Sequence, residues 1–210
     1  MREDYAEKCR AFFGTAPPET GYSAIITNIS PLYEAVKREG AISAETCGFY
    51  PATRLSFDRE KEYLLVKTTP GSVIIDVTRL LAQSCEKILL FGIAGSLSDS
   101  LGIGEVVQPE RFNKAGYPAI AIRGEAFSVM QTTGLIQSMS YYRGLAEARI
   151  ALVDMESYDF MVECRAANVE GACVFQISDN PFSAPFYRAK RHDISIELFL
   201  RLGGVRSHGF

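Results

Sequence analysis

The sequence predicts an α/β protein of three layers, with a mixed central sheet flanked by helices on both faces. Three observations carry that prediction. Apolar strand-like runs alternate along the chain with stretches whose apolar residues recur at helical spacing. Several of those runs, KILLF and ACVFQIS among them, are apolar throughout, as strands covered on both faces require. The length, 210 residues, suits one sizeable domain, and 47% hydrophobic with 22% charged residues builds a core without a metal or disulfide staple. The expected organisation is a single domain over residues 1–210, with residues 1–20 an N-terminal arm and residues 203–210 a tail.

The elements follow in order. The arm is helical or irregular and ends at Pro17-Pro18. Tyr22–Ile29 is a short β-branched run and reads as a buried strand. SPLYEAVKREG reads as a helix, with Ser30 as N-cap, Pro31 in the first turn and Gly40 as the stop. FYPATRLSF and EYLLVKTT are two strands around the turn DREKE. In SVIIDVTRLLAQSCEK, Val73, Ile74, Val77, Leu80 and Leu81 recur at helical spacing. Ile88–Phe91 is a strand, and the chain then turns through Gly92, Gly95, Gly102 and Gly104 into a strand at Glu105–Gln108. YPAIAIRG reads as a strand, whereas QTTGLIQSMSYYRGLAEA matches neither period. RIALVDM is a strand, and ESYDFMVECRAANVEG a helix with Phe160, Met161, Cys164 and Ala167 on one face and Gly171 closing it. ACVFQIS is a strand, and PFYRAKRHDISIELFLRLGG a C-terminal helix ended by Gly203.

Composition narrows the function. A net charge of −3 gives no electrostatic case for nucleic acid or an anionic membrane. Five scattered cysteines without a CxxC fit reduced, mostly buried thiols in a cytoplasm better than a disulfide framework. The N-terminus has no apolar signal region, and no run approaches the ~18 apolar residues of a membrane span. Two histidines, His192 and His208, do not make a His-rich metal site, and the absence of GxGxxG and GxxxxGK[ST] removes the nucleotide-loop readings. No metal and no cofactor is expected.

In open α/β sheets ligands bind beyond the carboxyl ends of the strands, and three such exits stand out. In LLFGIAGSL the glycines either let backbone approach a ligand or serve a tight turn. In VDMES, Asp154 and Glu156 fall on one side of the strand end and Met155 on the other; the alternative is that Glu156 only complements the dipole of the next helix. In FQISDNP, Ser178 and Asp179 are either ordinary turn residues or a general acid and its partner, the acid's pKa raised by burial.

Together the three blocks, in this order, resemble the nucleoside phosphorylase/nucleosidase superfamily, which includes purine nucleoside and uridine phosphorylases, methylthioadenosine/S-adenosylhomocysteine nucleosidase and futalosine hydrolase. The family carries a Gly-containing strand exit (here FGIAGSL), a "GD-v-v" strand (here GIGEVVQPERF), a "vdMEs/a" motif (here LVDMESYDF) and an "SD" strand end (here ISDN). Glu156 and Asp179 are 23 residues apart, as in the purine-specific branches. The resemblance implies that Glu156 accepts hydrogen bonds from the 2′ and 3′ hydroxyls of a ribose, with Met155 against the sugar's apolar face. It implies that Asp179, oriented by Ser178, protonates the base at N7 so that it leaves neutral. Gly92, Ile93 and Ala94 would line the site, Phe127 or Met130 would touch the base, and Arg191 would assist Asp179; a solvated basic face is the alternative for YRAKRHD. A homo-oligomer is implied as well.

The departures bear on the reaction. Tyr33, Leu90 and Ile93 stand where the family's phosphorylases keep two arginines and a serine, which leaves a phosphate dianion no cradle unless Arg54 or a neighbouring subunit supplies donors. Water is then the acceptor. Yet Glu34 is the nearest acid to the first-loop position of the hydrolases' water-positioning glutamate, and Phe175 replaces an arginine. The expected function is hydrolytic cleavage of the N-glycosidic bond of a purine nucleoside or nucleoside-like metabolite. A catalytically degenerate nucleoside binder, or a phosphorylase with a relocated phosphate site, is the alternative.

Overall fold

In the computed structural model, residues 2–16, 21–57, 61–122, 127–134, 137–186 and 193–205 are described. The chain runs α1 (Arg2–Phe13), β1 (Tyr22–Thr27), α2 (Ser30–Glu39), β2 (Ala41–Cys47), β3 (Pro51–Ser56), β4 (Glu62–Lys67), α3 (Val73–Leu81) and β5 (Cys85–Ser96). It continues with β6 (Val106–Val107), β7 (Arg111–Lys114), β8 (Ile120–Ala121), β9 (Ser128–Gln131), α4 (Met139–Glu147), β10 (Leu152–Asp154), α5 (Ser157–Ala166), β11 (Glu170–Asp179) and α6 (Ile196–Leu202). The sheet order is β2-β3-β4-β1-β5-β10-β9-β7-β8, with β11 on β5 and β6 on β11.

The predicted α/β class holds, and the apolar runs show why. β1 is buried at all six residues because helices cover both sheet faces. On one face, Ala24, Ile26, Ile88 and Leu90 share a core with Phe13 of α1, Val77 of α3 and Phe160 of α5. On the other, Ile25, Leu89 and Phe91 pack against Leu32 and Val36 of α2 and Phe199 and Leu200 of α6.

The topology that makes the site is a change of partner along β5. Its first half pairs parallel with β1 as far as Phe91. At Gly95 and Ser96 that edge is taken over by β10, which runs antiparallel. β11 follows the opposite edge of β5 from Lys87 to Gly95. Between Phe91 and Gly95, therefore, Gly92, Ile93 and Ala94 have β11 on one side and no described strand on the other.

Several sequence expectations are corrected. Gly92 and Gly95 lie inside β5, which runs to Ser96, and do not turn the chain. Its turn comes later, with Gly104 at φ +93. β2 went unrecognised because its edge position leaves most of its residues exposed and without an apolar pattern. The stretch matching neither period contains the end of β9 and all of α4. α3 stops at Leu81, since Cys85 already belongs to β5. Ser30 is the first residue of α2, with Ile29 at the cap. α5 closes through Asn168 at φ +55; Gly171 lies in β11, where a Cβ would sit 2.8 Å from Cys164 Cβ. Of the predicted C-terminal helix the described part is helical only over Ile196–Leu202, and residues 187–192 lie outside the described residues.

α1 is docked by its carbonyls. Thr46 Oγ1 donates to Phe13 O at 2.7 Å, and the Phe49 and Tyr50 amides donate to Ala11 O and Phe12 O at 2.9 and 2.8 Å. Gly48 permits this approach, because a Cβ there would lie 2.4 Å from Ala11 O.

Candidate active site

The exits of β10 and β11 deliver the two predicted carboxyls to the two flanks of the β5 end. β10 runs antiparallel to β5, with Leu152 opposite Ser96 and Val153 opposite Gly95, and Met155 and Glu156 follow directly after it in the chain. Glu156 is 8% exposed. Its Oε1 accepts from the Gly71 amide at 2.8 Å. Gly71 holds φ +95, a left-handed conformation that suits glycine. Burial first, and the Asp154 charge second, push the Glu156 carboxyl from an ordinary 4.5 up to about 7, against the opposing pull of hydrogen bonds that include the Gly71 amide and the Asn28 side chain. Three chain segments thus meet at one carboxylate: the end of β1, the loop before α3 and the start of α5.

Asp179 ends β11 on the other flank. Ser178 Oγ donates to Asp179 Oδ1 at 2.6 Å and lies 3.3 Å from Ala94 O. Burial raises the Asp179 pKa, with the Ser178 hydrogen bond pulling the other way. The residue opposite Asp179 on β5 is Gly95, whose own partner on β10 is Val153, which in turn pairs with Met130 of β9. Met130, Val153, Gly95 and Asp179 form one cross-strand row, and residues directly opposite across strands share a face. Gly95 is the gap in that row. A Cβ there would stand 3.1 Å from Val153 Cγ2 and 3.3 Å from Asp179 Oδ2. α4 contributes Tyr142, which is buried; its hydroxyl pKa is raised by burial and, to a smaller degree, by the Asp179 charge.

The predicted residues take different places. Met155 and Glu156 follow β10, Ile93 and Ala94 lie in the part of β5 with no described strand on that side, Asp179 and Met130 belong to the row, and Ser178 holds Asp179. Gly92 does not offer open space: a Cβ there would meet the Phe175 ring at 3.1 Å, so this glycine admits a core ring. Phe127 packs against the main core. Arg191 lies outside the described residues. Asp154 does not share a free side with Glu156, because its carboxylate is turned onto the first amides of α5. The sequence reading missed Asn28, Gly71, Gly95, Val153 and Tyr142. Gly95, the second glycine of FGIAGS, and Val153, the first residue of VDMES, stand inside motifs that the sequence offers; the others come from elements whose packing no local motif announces.

The positions that departed from the phosphorylase pattern are apolar or engaged. Leu90 is buried, and Tyr33 donates to or accepts from Thr53 Oγ1 at 2.7 Å inside the second core. Arg54 Nη2 donates to Thr15 Oγ1 and Ala16 O at 3.2 and 2.8 Å, holding the segment after α1. Glu34 is exposed and 3.9 Å from Lys37, which itself binds Glu45 at 2.7 Å. A cleft of about 370 Å³ opens there, lined by Glu34, Lys37, Glu45, Cys47 and Lys67, and neither Glu156 nor Asp179 borders it. Among the described residues no group of three or more His, Cys, Asp or Glu side chains is arranged to hold a metal, and no helix is long and apolar enough to cross a membrane.

No protein-family model matches the sequence, and no curated protein matches it. Solved structures do. The Helicobacter pylori futalosine hydrolase superposes with a TM-score of 0.68 at 16% identity, over 89% of this chain and 93% of that one. The Neisseria meningitidis 5′-methylthioadenosine/S-adenosylhomocysteine nucleosidase, in complex with methylthio-immucillin-A, gives a TM-score of 0.68 at 14% identity over 79% and 90%. A Helicobacter pylori nucleosidase with 5′-methylthioadenosine in its active site gives 0.66 at 16% over 87% and 97%. The chain therefore shares its fold with these three enzymes.

Proposed function

We infer that the protein is a nucleosidase that hydrolyses the N-glycosidic bond of a purine nucleoside or a related metabolite. The observation that carries this reading is the pair of carboxyls, Glu156 and Asp179, delivered by two strand exits to the two flanks of one β5 end, each partly stripped of water and each held by named donors. Glu156 accepts from the 2′ and 3′ hydroxyls and Met155 lies against the sugar. Asp179, its pKa raised by burial, gives its proton to N7 as the C1′–N9 bond breaks and that electron pair passes to the base. The oxocarbenium-like sugar left behind is stabilised by the neighbouring carboxylate. Water adds at C1′, and its proton restores Asp179. The base and the sugar leave as separate products.

Water is preferred to phosphate because Tyr33, Leu90 and Arg54 are all committed to the fold. Similarity in fold to the futalosine hydrolase and the two methylthioadenosine nucleosidases supports the same reading. A binding protein without turnover is the second reading, favoured by Glu34: the first-loop acid lies exposed beside Lys37 and leaves the attacking water without that base. The test is chromatography of products from a panel of purine and pyrimidine nucleosides, 5′-modified nucleosides and 5′-nucleotides, with and without phosphate. Free base and free sugar in phosphate-free buffer are expected. Release only with phosphate would make the protein a phosphorylase, and tight binding without release would favour the second reading.

A further inference from the structure

Asp154 is buried beside the site and performs no step of the chemistry above, yet both ends of it are fastened. Its carbonyl oxygen accepts from Thr132 N at 2.8 Å and Thr132 Oγ1 at 3.1 Å. Its carboxylate accepts from Glu156 N at 3.1 Å, Ser157 N at 2.7 Å and Ser157 Oγ at 2.7 Å. The turn from β10 into α5 is thereby closed on itself. Glu156 sits at the middle of that turn, its amide held by Asp154 and its Oε1 by the Gly71 amide.

The turn asks for a hydrogen-bond acceptor rather than a charge: serine, threonine and asparagine also satisfy the first amides of a helix, and a second buried carboxylate beside Glu156 opposes its ionisation. α5 as a body does not depend on Asp154. The helix has a second anchor within its first turn, where the Asp159 amide donates to Gln131 Oε1 at 2.9 Å and the Asp159 carboxylate accepts from Gln131 Nε2 at 2.6 Å and Lys114 Nζ at 2.6 and 2.8 Å. Removing the Asp154 carboxylate frees the turn while the helix stays in place.

We propose that Asp154 is a positioning residue: by closing the Asp154–Ser157 turn it aims Glu156 at Gly71 and, on the reading given above, at the sugar diol. The test uses Asp154→Ala, Asp154→Leu, which fills the volume without accepting a hydrogen bond, and Asp154→Asn, which keeps an acceptor for the amides. Thermal unfolding identifies the variants that fold. Amide hydrogen exchange then reads the aim of Glu156 without any substrate. Gly71 exchange is expected to rise about tenfold in the Ala and Leu variants and to stay near the parent in Asn, with the Asp159 amide unmoved in all three. Unchanged Gly71 exchange in the folded Ala and Leu variants would overturn the proposal. On a cleaved ribonucleoside the Ala variant is expected to lose about tenfold in kcat/KM, and on the 2′,3′-dideoxy analogue little, because the diol that Glu156 reads is gone. Equal losses on both substrates would reduce Asp154 to a structural cap. If the parent cleaves no nucleoside, the functional reading fails and the exchange result alone decides the role of Asp154.

Discussion

At Gly95 a single hydrogen atom separates the β5 backbone from the Val153 methyl and the Asp179 carboxylate. That contact makes a sharp prediction. In Gly95→Ala the added methyl must displace one neighbour by a few tenths of an ångström, and the carboxylate, carried on a strand end, is the one free to move. The variant should fall about tenfold or more in kcat, since catalysis is sensitive to such displacements, while its melting temperature stays near the parent's. Steady-state kinetics beside thermal unfolding would check it; an unchanged kcat would show that the Asp179 position is not set by Gly95. Glu156, Ser178 and Asp179 were legible in the sequence because each stands directly at the exit of a recognisable apolar strand. Asn28, Gly71 and Tyr142 were not, because each reaches the site from an element whose relation to β10 and β11 is decided by packing. The close contact of Gly92 with Phe175 was not legible for the same reason: the ring is 83 positions away and meets the glycine only through the β5–β11 register.

Among the elements, β5 does most to define the site, since it exchanges β1 for β10 as a partner and leaves three residues between them without a strand on one side. Its first half was legible as an apolar run, whereas its second half looked like a turn because glycine is usually a strand breaker. Here the glycines serve close packing in an extended conformation. β2 hid for the opposite reason, having an exposed edge position and hence no burial pattern to read. The docking of α1 rests on one close approach that can be tested. Gly48→Ala places a Cβ 2.4 Å from Ala11 O and within 3 Å of Gly14 N and Phe12 C, all backbone atoms. The cost should be about 1–3 kcal/mol, a fall of several degrees in melting temperature for a chain of this size. Limited proteolysis should cut first around α1; a variant as stable and as resistant as the parent would mean that α1 contributes little to the fold.

On the scale of the whole molecule, the fold class and the order of the site-bearing strands were legible because helix and strand periods alternate and the buried strands are apolar throughout. The partner exchange along β5 was not, since it depends on pairings between residues far apart in the chain. The site also has a consequence for global stability. Burial raises the Glu156 pKa from 4.5 to about 7 and the Asp154 pKa from 3.8 to about 6, so between those limits the folded chain binds protons that the unfolded chain has released. Stability from these groups is therefore greatest in mild acid and falls as pH rises from about 4 to about 7, by an amount on the order of a few kcal/mol for the pair. Urea unfolding at pH 5 and pH 8 should show that fall in the parent and a flatter profile in Glu156→Gln; the same slope in both would locate the pH dependence elsewhere. The central claim, that Asp179 supplies the proton on which base departure depends, is tested most directly by the single-turnover rate of base release by Asp179→Asn, against the parent, on the best purine nucleoside in phosphate-free buffer. A loss of about 10²–10⁴ with an intact fold is the predicted result, and a rate within twofold of the parent would contradict it.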